Sequence, residues 1–538
     1  MTHAVNDRLL VVNWPQPGHL TQEDNSPMPT LPDQTHPSIE DLIIREEGVT
    51  KLLRNINPAK ASGPDNIPNR ILKEVASEIS PALTAIYTRS ISEGTLPDDW
   101  RSANVAPIFK KGSRHEASNY RPVSLTSVCC KVLEHIICKH ILNYLDKFNL
   151  LSILQHGFRF AHSCETQLLL TLHDITSMFD AKKQIDIAIL DFSKAFDTVP
   201  HQKLLHKLKH LGIQGNVIKW IQSFLTNRDQ SVIVEGETSK PITVKSGVPQ
   251  GTVLGPLLFL CFINDLPDSV TSQVRLFADD CLLYRPISSA EDSIKLQEDL
   301  TQLEKWAKTW GMSFNANKCY ILRVSRNKQP ITHYYQLNDL VLKQVHENPY
   351  LGVLLSDDLK WSKHVNKTCS KATSILAFLR RNLKQCPTTI KATAFKSLVR
   401  SILEYSSSVW DPHLQKDIQK IEKIQRRGAR FVTGSYGRES SVTTMLKDLQ
   451  WDELSNRRRT SRLAMMYKII HGLVAIPSED LLEPNTGRTR SKHGFRQYRC
   501  NTNIFKYSYI PRTIIDWNNL PINAKTAITL EEFKSSIS

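Results

Sequence analysis

Two runs of β-favouring residues flank adjacent aspartates in Val274-Arg-Leu-Phe-Ala-Asp-Asp-Cys-Leu-Leu-Tyr284. This is the pattern of a tight β-hairpin with the acids at its bend. Side chains alternate along a strand, which pairs Phe277 with Asp279 on one face and Ala278 with Asp280 on the other. Alone, two acids at a bend report only a solvated turn. A second stretch changes that reading. Ile185-Asp-Ile-Ala-Ile-Leu-Asp191 reads as a mostly buried strand that ends on a carboxylate, and Phe192 to His201 begins as a sharp exit from the sheet. Side by side in one antiparallel sheet, strand and hairpin would bring Asp191, Asp279 and Asp280 together. Three such charges repel strongly in a partly desolvated site unless a cation joins them. Hard oxygen ligands suit Mg2+. Two such ions roughly 4 Å apart activate a hydroxyl and stabilise a leaving phosphate, which is phosphoryl or nucleotidyl transfer.

The charge balance agrees with a polyanionic partner. The 538 residues carry a formal net charge of +16, although charge alone also fits an anionic membrane surface or simple solubility. The ten cysteines are scattered, with none of the paired spacing of a zinc site, and are expected as reduced thiols of an intracellular protein of nucleus or cytoplasm. The longest strongly apolar run, Leu257 to Ile263, is too short to span a bilayer, and no signal segment opens the chain. No membrane partner is expected.

Asp191-Phe-Ser-Lys-Ala-Phe-Asp197, Ser246-Gly-Val-Pro-Gln-Gly-Thr-Val-Leu-Gly-Pro-Leu257 and Phe277-Ala-Asp-Asp280 resemble, in order, the palm motifs of a reverse transcriptase. The nearest likeness is to non-LTR (LINE-type, jockey-like) retrotransposons. Asn57 to Asp65, Asn119 to Leu125, Gln155-His-Gly-Phe-Arg159, Asn317-Lys318 and Tyr350-Leu-Gly-Val353 extend it over more than half the chain. The resemblance implies an RNA-directed DNA polymerase of α/β class (α+β palm): a right hand of fingers, palm and helical thumb, with a helical, basic C-terminal region. Its implied partners are an RNA template, a DNA primer or target, and dNTPs; its implied cofactor is a pair of Mg2+ ions, with Mn2+ as an alternative. Asp191, Asp279 and the weaker ligand Asp280 would hold the ions, helped by the Phe192 carbonyl. Lys110 and Arg121 would face the triphosphate, chemically apt as a point charge and a planar fork. Phe196 would exclude a 2′-hydroxyl, Gln250 and Gly251 would meet nucleotide and templating base, and Lys318 would protonate the leaving pyrophosphate. Arg159 would meet a template phosphate, and Tyr350 would belong to the turn that grips the primer. A group II intron maturase, an RNA-copying RNA polymerase and a silent nucleic-acid-binding copy are the rival readings; the Phe-Ser-Lys-Ala-Phe-Asp block opposes the first and Phe196 the second.

The chain divides accordingly. Residues 1–37 form a Pro-rich leader expected to be disordered. Residues 38–100 form an extension before the fingers, opened by a helix capped at Ser38 and running to about Asn55, with further helices at Ile71 to Ala76 and, past Pro81, Leu83 to Ile91. No stretch upstream has room for the endonuclease the resemblance implies, so the sequence reads as the polymerase part or a truncated copy. Residues 101–355 hold fingers and palm, with a core helix between Ser124 and Phe148 and a basic helical stretch from Leu204 to Leu225. Residues 356–480 read as the thumb and a downstream basic region. There Lys416, Lys420, Lys423, Arg427 and Arg430 form a positive stripe expected to track a nucleic-acid backbone, with Arg457 to Arg459 and Arg462 adding to it. Residues 481–538 are a tail anchored by Trp517, Leu520 and Phe533, with no role assigned.

Overall fold

The apolar run of Ile185, Ile187, Ala188, Ile189 and Leu190, interrupted only by Asp186, cannot expose either face to water, and it forms the central strand of a sheet covered on both sides. The computed structural model describes residues 27–537 apart from 33, 35, 438 and 486–492; most of the leader therefore lies outside the described residues. In chain order the strands are β1 (Ser102–Phe109), β2 (Tyr120–Leu125), β3 (Gln184–Leu190), β4 (Arg228–Val234), β5 (Glu237–Thr238), β6 (Ile242–Val244), β7 (Gln273–Phe277) and β8 (Asp280–Ile287). There follow β9 (Tyr320–Val324), β10 (Gln336–Leu337), β11 (Leu340–Val341), β12 (Lys343–Val345), β13 (Glu347–Tyr350) and β14 (Val353–Ser356). The main sheet runs β12-β9-β3-β8-β7, and a second runs β2-β1-β4-β5 with β6 also on β4. Helices fill most of the rest, giving the mixed α/β class expected.

Strand alternation divides the main sheet between two cores. Ala188, Leu190, Cys281, Leu283 and Ile321 face the first, beside the helices Val128–Lys147, Leu254–Ile263 and Ala290–Thr309. Ile185, Ile187, Leu282, Tyr284, Leu322 and Val324 face the second. That second core also takes in the helices Cys164–Asp180, Ser362–Asn382, Gln415–Thr433 and Leu454–Ile470, with Trp517, Leu520 and Phe533. The unassigned C-terminal stretch thus packs into this core. Asp180 accepts the backbone N–H groups of Asn501 and Thr502 and ties it to the helix below the sheet.

Several local expectations change. Ser38 to Ile44 is not helical: Ile39 donates its N–H to Gly212 at 2.9 Å, and Ile39, Leu42 and Ile44 pack on the first core. Burying those side chains in an extended strap outweighs the cap, and the helix begins at Glu46, whose first turn is acidic. Pro81 sits inside one helix, Ala76–Glu93, rather than before it. The basic residues of the 203–225 region are partly internal: Lys203 donates to the Thr309 carbonyl, and Lys207 to the Phe262 carbonyl and Asp265. Arg458 and Arg462, placed on a positive stripe by sequence, are 1% and 2% exposed and both pair with Asp411. Arg457 pairs with Glu404. Charge spacing alone did not distinguish a solvated face from a buried ion network. No described helix is long and apolar enough to cross a membrane.

Candidate active site

Phe277 pairs with Asp280, leaving Ala278 and Asp279 as a two-residue bend. Ala278 has φ +53°, a left-handed conformation that such bends normally give to glycine. On the neighbouring strand Leu190 pairs with Cys281. Asp191 and Asp280 are therefore the residues next to the last pair of that ladder. The backbone of Asp191 is pinned: its carbonyl accepts the Asn315 N–H at 2.8 Å, and its own N–H reaches the Cys319 sulfur.

The carboxylates perturb one another. Burial, then Asp191, raises Asp279 above the usual carboxylate range, against the pull of Arg121 and Lys110. Crowding by the surrounding protein, then Asp279 and Asp191, pushes Asp280 up to about 6. The Asp280 side chain is exposed, so water screens part of the crowding and the neighbouring charges are the firmer cause. Among the described residues no three His, Cys, Asp or Glu side chains close on a metal by themselves. The donor chemistry still fits Mg2+, which takes one or two protein carboxylates and completes its shell with water and substrate phosphates. Mutual repulsion of this kind is what a divalent ion relieves.

Three cations surround the acids. Lys110 follows β1 and donates its N–H to Asn119 at 2.8 Å, closing the β1–β2 hairpin, and Arg121 lies opposite Ile108 on β2. Lys318 places Nζ 3.7 Å from Asp191 Oδ2.

Behind Asp191 the Phe192 ring stacks on Phe314 at 4.2 Å. The Asp191 carbonyl and the Ser193 N–H both bond toward the 313–315 segment. Phe196 is half-buried, stacked on Phe259 at 4.4 Å and edge-on to Phe158 at 6.3 Å. Gln250 donates to Asp197 at 3.0 Å, and its carbonyl accepts from Ser124 at 2.7 Å. Gly251 has φ +99°, and a Cβ there would meet the Ser124 oxygen at 2.8 Å. The Pro-Gln-Gly loop thus joins the Phe196–Asp197 turn to β2. Asp197 was not singled out by sequence; its position six residues after a candidate ligand carried no separate signal.

The peripheral candidates divide. Arg159 donates to its own loop at Ser152. Tyr350 is buried with its hydroxyl hydrogen-bonded by Gln167, so any contact with a strand falls to the Leu351–Gly352 turn rather than to its ring. Lys416, Lys420, Lys423 and Arg427 are exposed and Arg430 is partly so. Lys420, Lys423 and Arg427 line a groove of about 530 Å³ against Asn366, Ser370 and Thr373.

Residues 108–355 match the family described as reverse transcriptase (RNA-dependent DNA polymerase). Over a longer alignment of 453 residues, the chain is 29% identical to the probable RNA-directed DNA polymerase from transposon BS of Drosophila melanogaster, covering 80% of this chain and 49% of that one. It is 27% identical to the RNA-directed DNA polymerase from mobile element jockey of the same fly, over 74% of this chain and 45% of the other. The chain thus spans about half the length of these relatives. Among solved structures, apo telomerase from Candida tropicalis aligns with a TM-score of 0.39 at 10% identity, covering 69% of this chain and 64% of that one.

Proposed function

We propose, from a chain whose residues 108–355 form a reverse transcriptase domain within a longer likeness to non-LTR retrotransposon polymerases, that the protein is an RNA-directed DNA polymerase. It extends a primer 3′-hydroxyl with dNTPs on an RNA template. The observation that carries this reading is the mutual perturbation of Asp191 and the Asp279–Asp280 pair, with Lys110 and Arg121 acting on Asp279 and Lys318 3.7 Å from Asp191. On this reading residues 101–355 are fingers and palm, and the helices within 356–480 the thumb.

Asp191, Asp279 and the Phe192 carbonyl would hold two Mg2+ ions, with Asp280 as the weaker ligand. Bound there, the ions supply Lewis-acid stabilisation of charge on the attacking and leaving oxygens. Lys110 and Arg121 orient the triphosphate and balance its charge. Lys318, beside Asp191, is placed to deliver a proton to the leaving pyrophosphate. Phe196, supported by Phe259, presents a ring under the sugar and favours dNTP over NTP. The Lys416 to Arg430 stripe tracks the backbone of the duplex.

The test is primer extension by the purified chain on an RNA template with a DNA primer. Mg2+-dependent DNA synthesis is expected, with NTPs used poorly. Salt-sensitive template binding without any extension would remove the enzymatic reading.

A further inference from the structure

Ala278 holds a conformation that an alanine side chain disfavours, and the sheet alone does not account for it. The residue that fixes it comes from more than a hundred positions earlier. Gln155 is buried, and its side-chain oxygen accepts the Ala278 N–H at 2.8 Å and the Gly157 N–H at 2.7 Å. Its side-chain nitrogen donates to the Ala278 carbonyl at 3.3 Å. One amide therefore grips both backbone groups of the strained residue. The surrounding loop is moulded to the same turn. His156 donates its N–H to the Leu276 carbonyl at 2.9 Å, and Leu276 returns one to Leu154 at 2.9 Å. Gly157 comes so close that a Cβ there would lie 2.3 Å from the Ala278 nitrogen.

From this geometry we infer that Gln155 is a positioning residue for Asp279: it holds Ala278 left-handed, and so fixes where the adjacent carboxylate points. The inference rests on the polymerase reading for its catalytic consequence, though not for its structural one. It also gives the Gln155-His-Gly stretch a role distinct from template contact. A loop outside the sheet, rather than the hairpin itself, sets the aim of the candidate metal ligand. Small errors in such aim are expensive, since a displacement of about 1 Å costs about 10²-fold in rate.

The test uses the full chain with Gln155→Met, which keeps length and bulk and removes all three bonds. Hydrogen exchange is expected to quicken in the peptide spanning Leu276 to Cys281. Primer extension should show kcat lowered by about 10²-fold, a higher Mg2+ requirement, and a KM for dNTP near the wild-type value. Adding Ala278→Gly, which lets the bend adopt the conformation unaided, should restore about tenfold of that loss. A merely structural glutamine would not be rescued by a glycine at that one position. Where the methionine chain does not fold, Gln155→Glu serves; it keeps an acceptor for both N–H groups, loses the bond to the Ala278 carbonyl, and should show a smaller, equally rescuable defect. Wild-type exchange and rate in either folded variant, or no rescue by glycine, overturns the inference. A wild-type chain that extends no primer removes the polymerase reading instead, and the exchange comparison then decides the positioning role alone.

Discussion

Lys318 holds its ammonium 3.7 Å from the Asp191 carboxylate, where the turn before β9 meets the end of β3. Both side chains are substantially exposed, so the pair contributes little to stability. Its placement matters more than its strength, because it sets a proton donor beside a candidate metal ligand. Lys318→Gln is expected to lower single-nucleotide incorporation by about 10²-fold, as for loss of a general acid, while the melting temperature stays unchanged. Rapid-quench incorporation next to a thermal scan checks both; an unchanged rate would remove Lys318 from proton transfer.

If Asp279 and Asp280 hold the metal as proposed, activity, acidity and metal binding should be linked. With the metal chelated, Asp280 is raised from 3.8 to about 6 in the folded chain. The sign follows directly: its favourable contribution is present below the unfolded value and is lost as pH rises through about 6. Melting temperature in chelator should therefore decline across that window, and the decline should be weaker in Asp280→Asn. At about pH 7.5, Mg2+ should raise the midpoint of the wild-type chain more than that of Asp279→Asn. Asp279→Asn itself should fold and lose on the order of 10³-fold in extension rate, since metal stabilisation of transition-state charge amounts to several kcal/mol. Abundant product from that variant would sink the site assignment.

Phe196 should set sugar selectivity. Phe196→Val shortens the ring while leaving an apolar side chain on Phe259. Incorporation of NTP relative to dNTP is expected to rise by about 10- to 200-fold, the range in which a pocket discriminates by bulk. Competition between the two nucleotides on one template measures it. Unchanged discrimination would assign Phe196 to packing alone.

Two sets of basic residues that look alike in sequence should behave oppositely. Replacing Lys420, Lys423 and Arg427 with alanine should leave stability near wild-type and flatten the salt dependence of template binding by about 2 to 3 in log–log slope. Asp411→Ala leaves Arg458, Arg462 and Arg512 without the carboxylate they share. It should destabilise the fold by about 3–5 kcal/mol, the usual consequence of unpairing buried charge. Binding isotherms at several salt concentrations and denaturant titrations separate the two effects.

The sequence made the acids legible because a buried strand that ends on a carboxylate, and a hairpin with acids at its bend, are each hard to explain otherwise. Their convergence needed only the pairing of β3 with β8, and the observed register supplies it. What was not legible depended on long-range partners. The grip of Gln155 on Ala278 joins residues 123 apart in the chain, and no local pattern encodes it. Arg458 and Arg462 have the spacing of an exposed stripe and become internal because Asp411 and Asp516 approach from elsewhere. Tyr350 fell on a recognisable turn, yet its ring turned inward to Gln167. The strap from Ser38 to Ile44 carried a helix-cap pattern and instead spent its apolar residues on the first core.

The second core dictates how the molecule can be cut. Residues 108–355 contain every candidate acid, but the helix Cys164–Asp180, which packs on β3 and β7, is itself covered by helices that come later in the chain. A recombinant fragment ending near Ser356 would leave Leu169 and Leu172 of that helix without Val409, Tyr509 and Ile510 beside them, and such apolar surface promotes aggregation. Even a fragment ending at about residue 480 would lose Trp517 and Phe533, which stack at 5.5 Å inside that same core. The shortest piece expected to remain well behaved therefore extends almost to the last residue, well past the last of the chemistry.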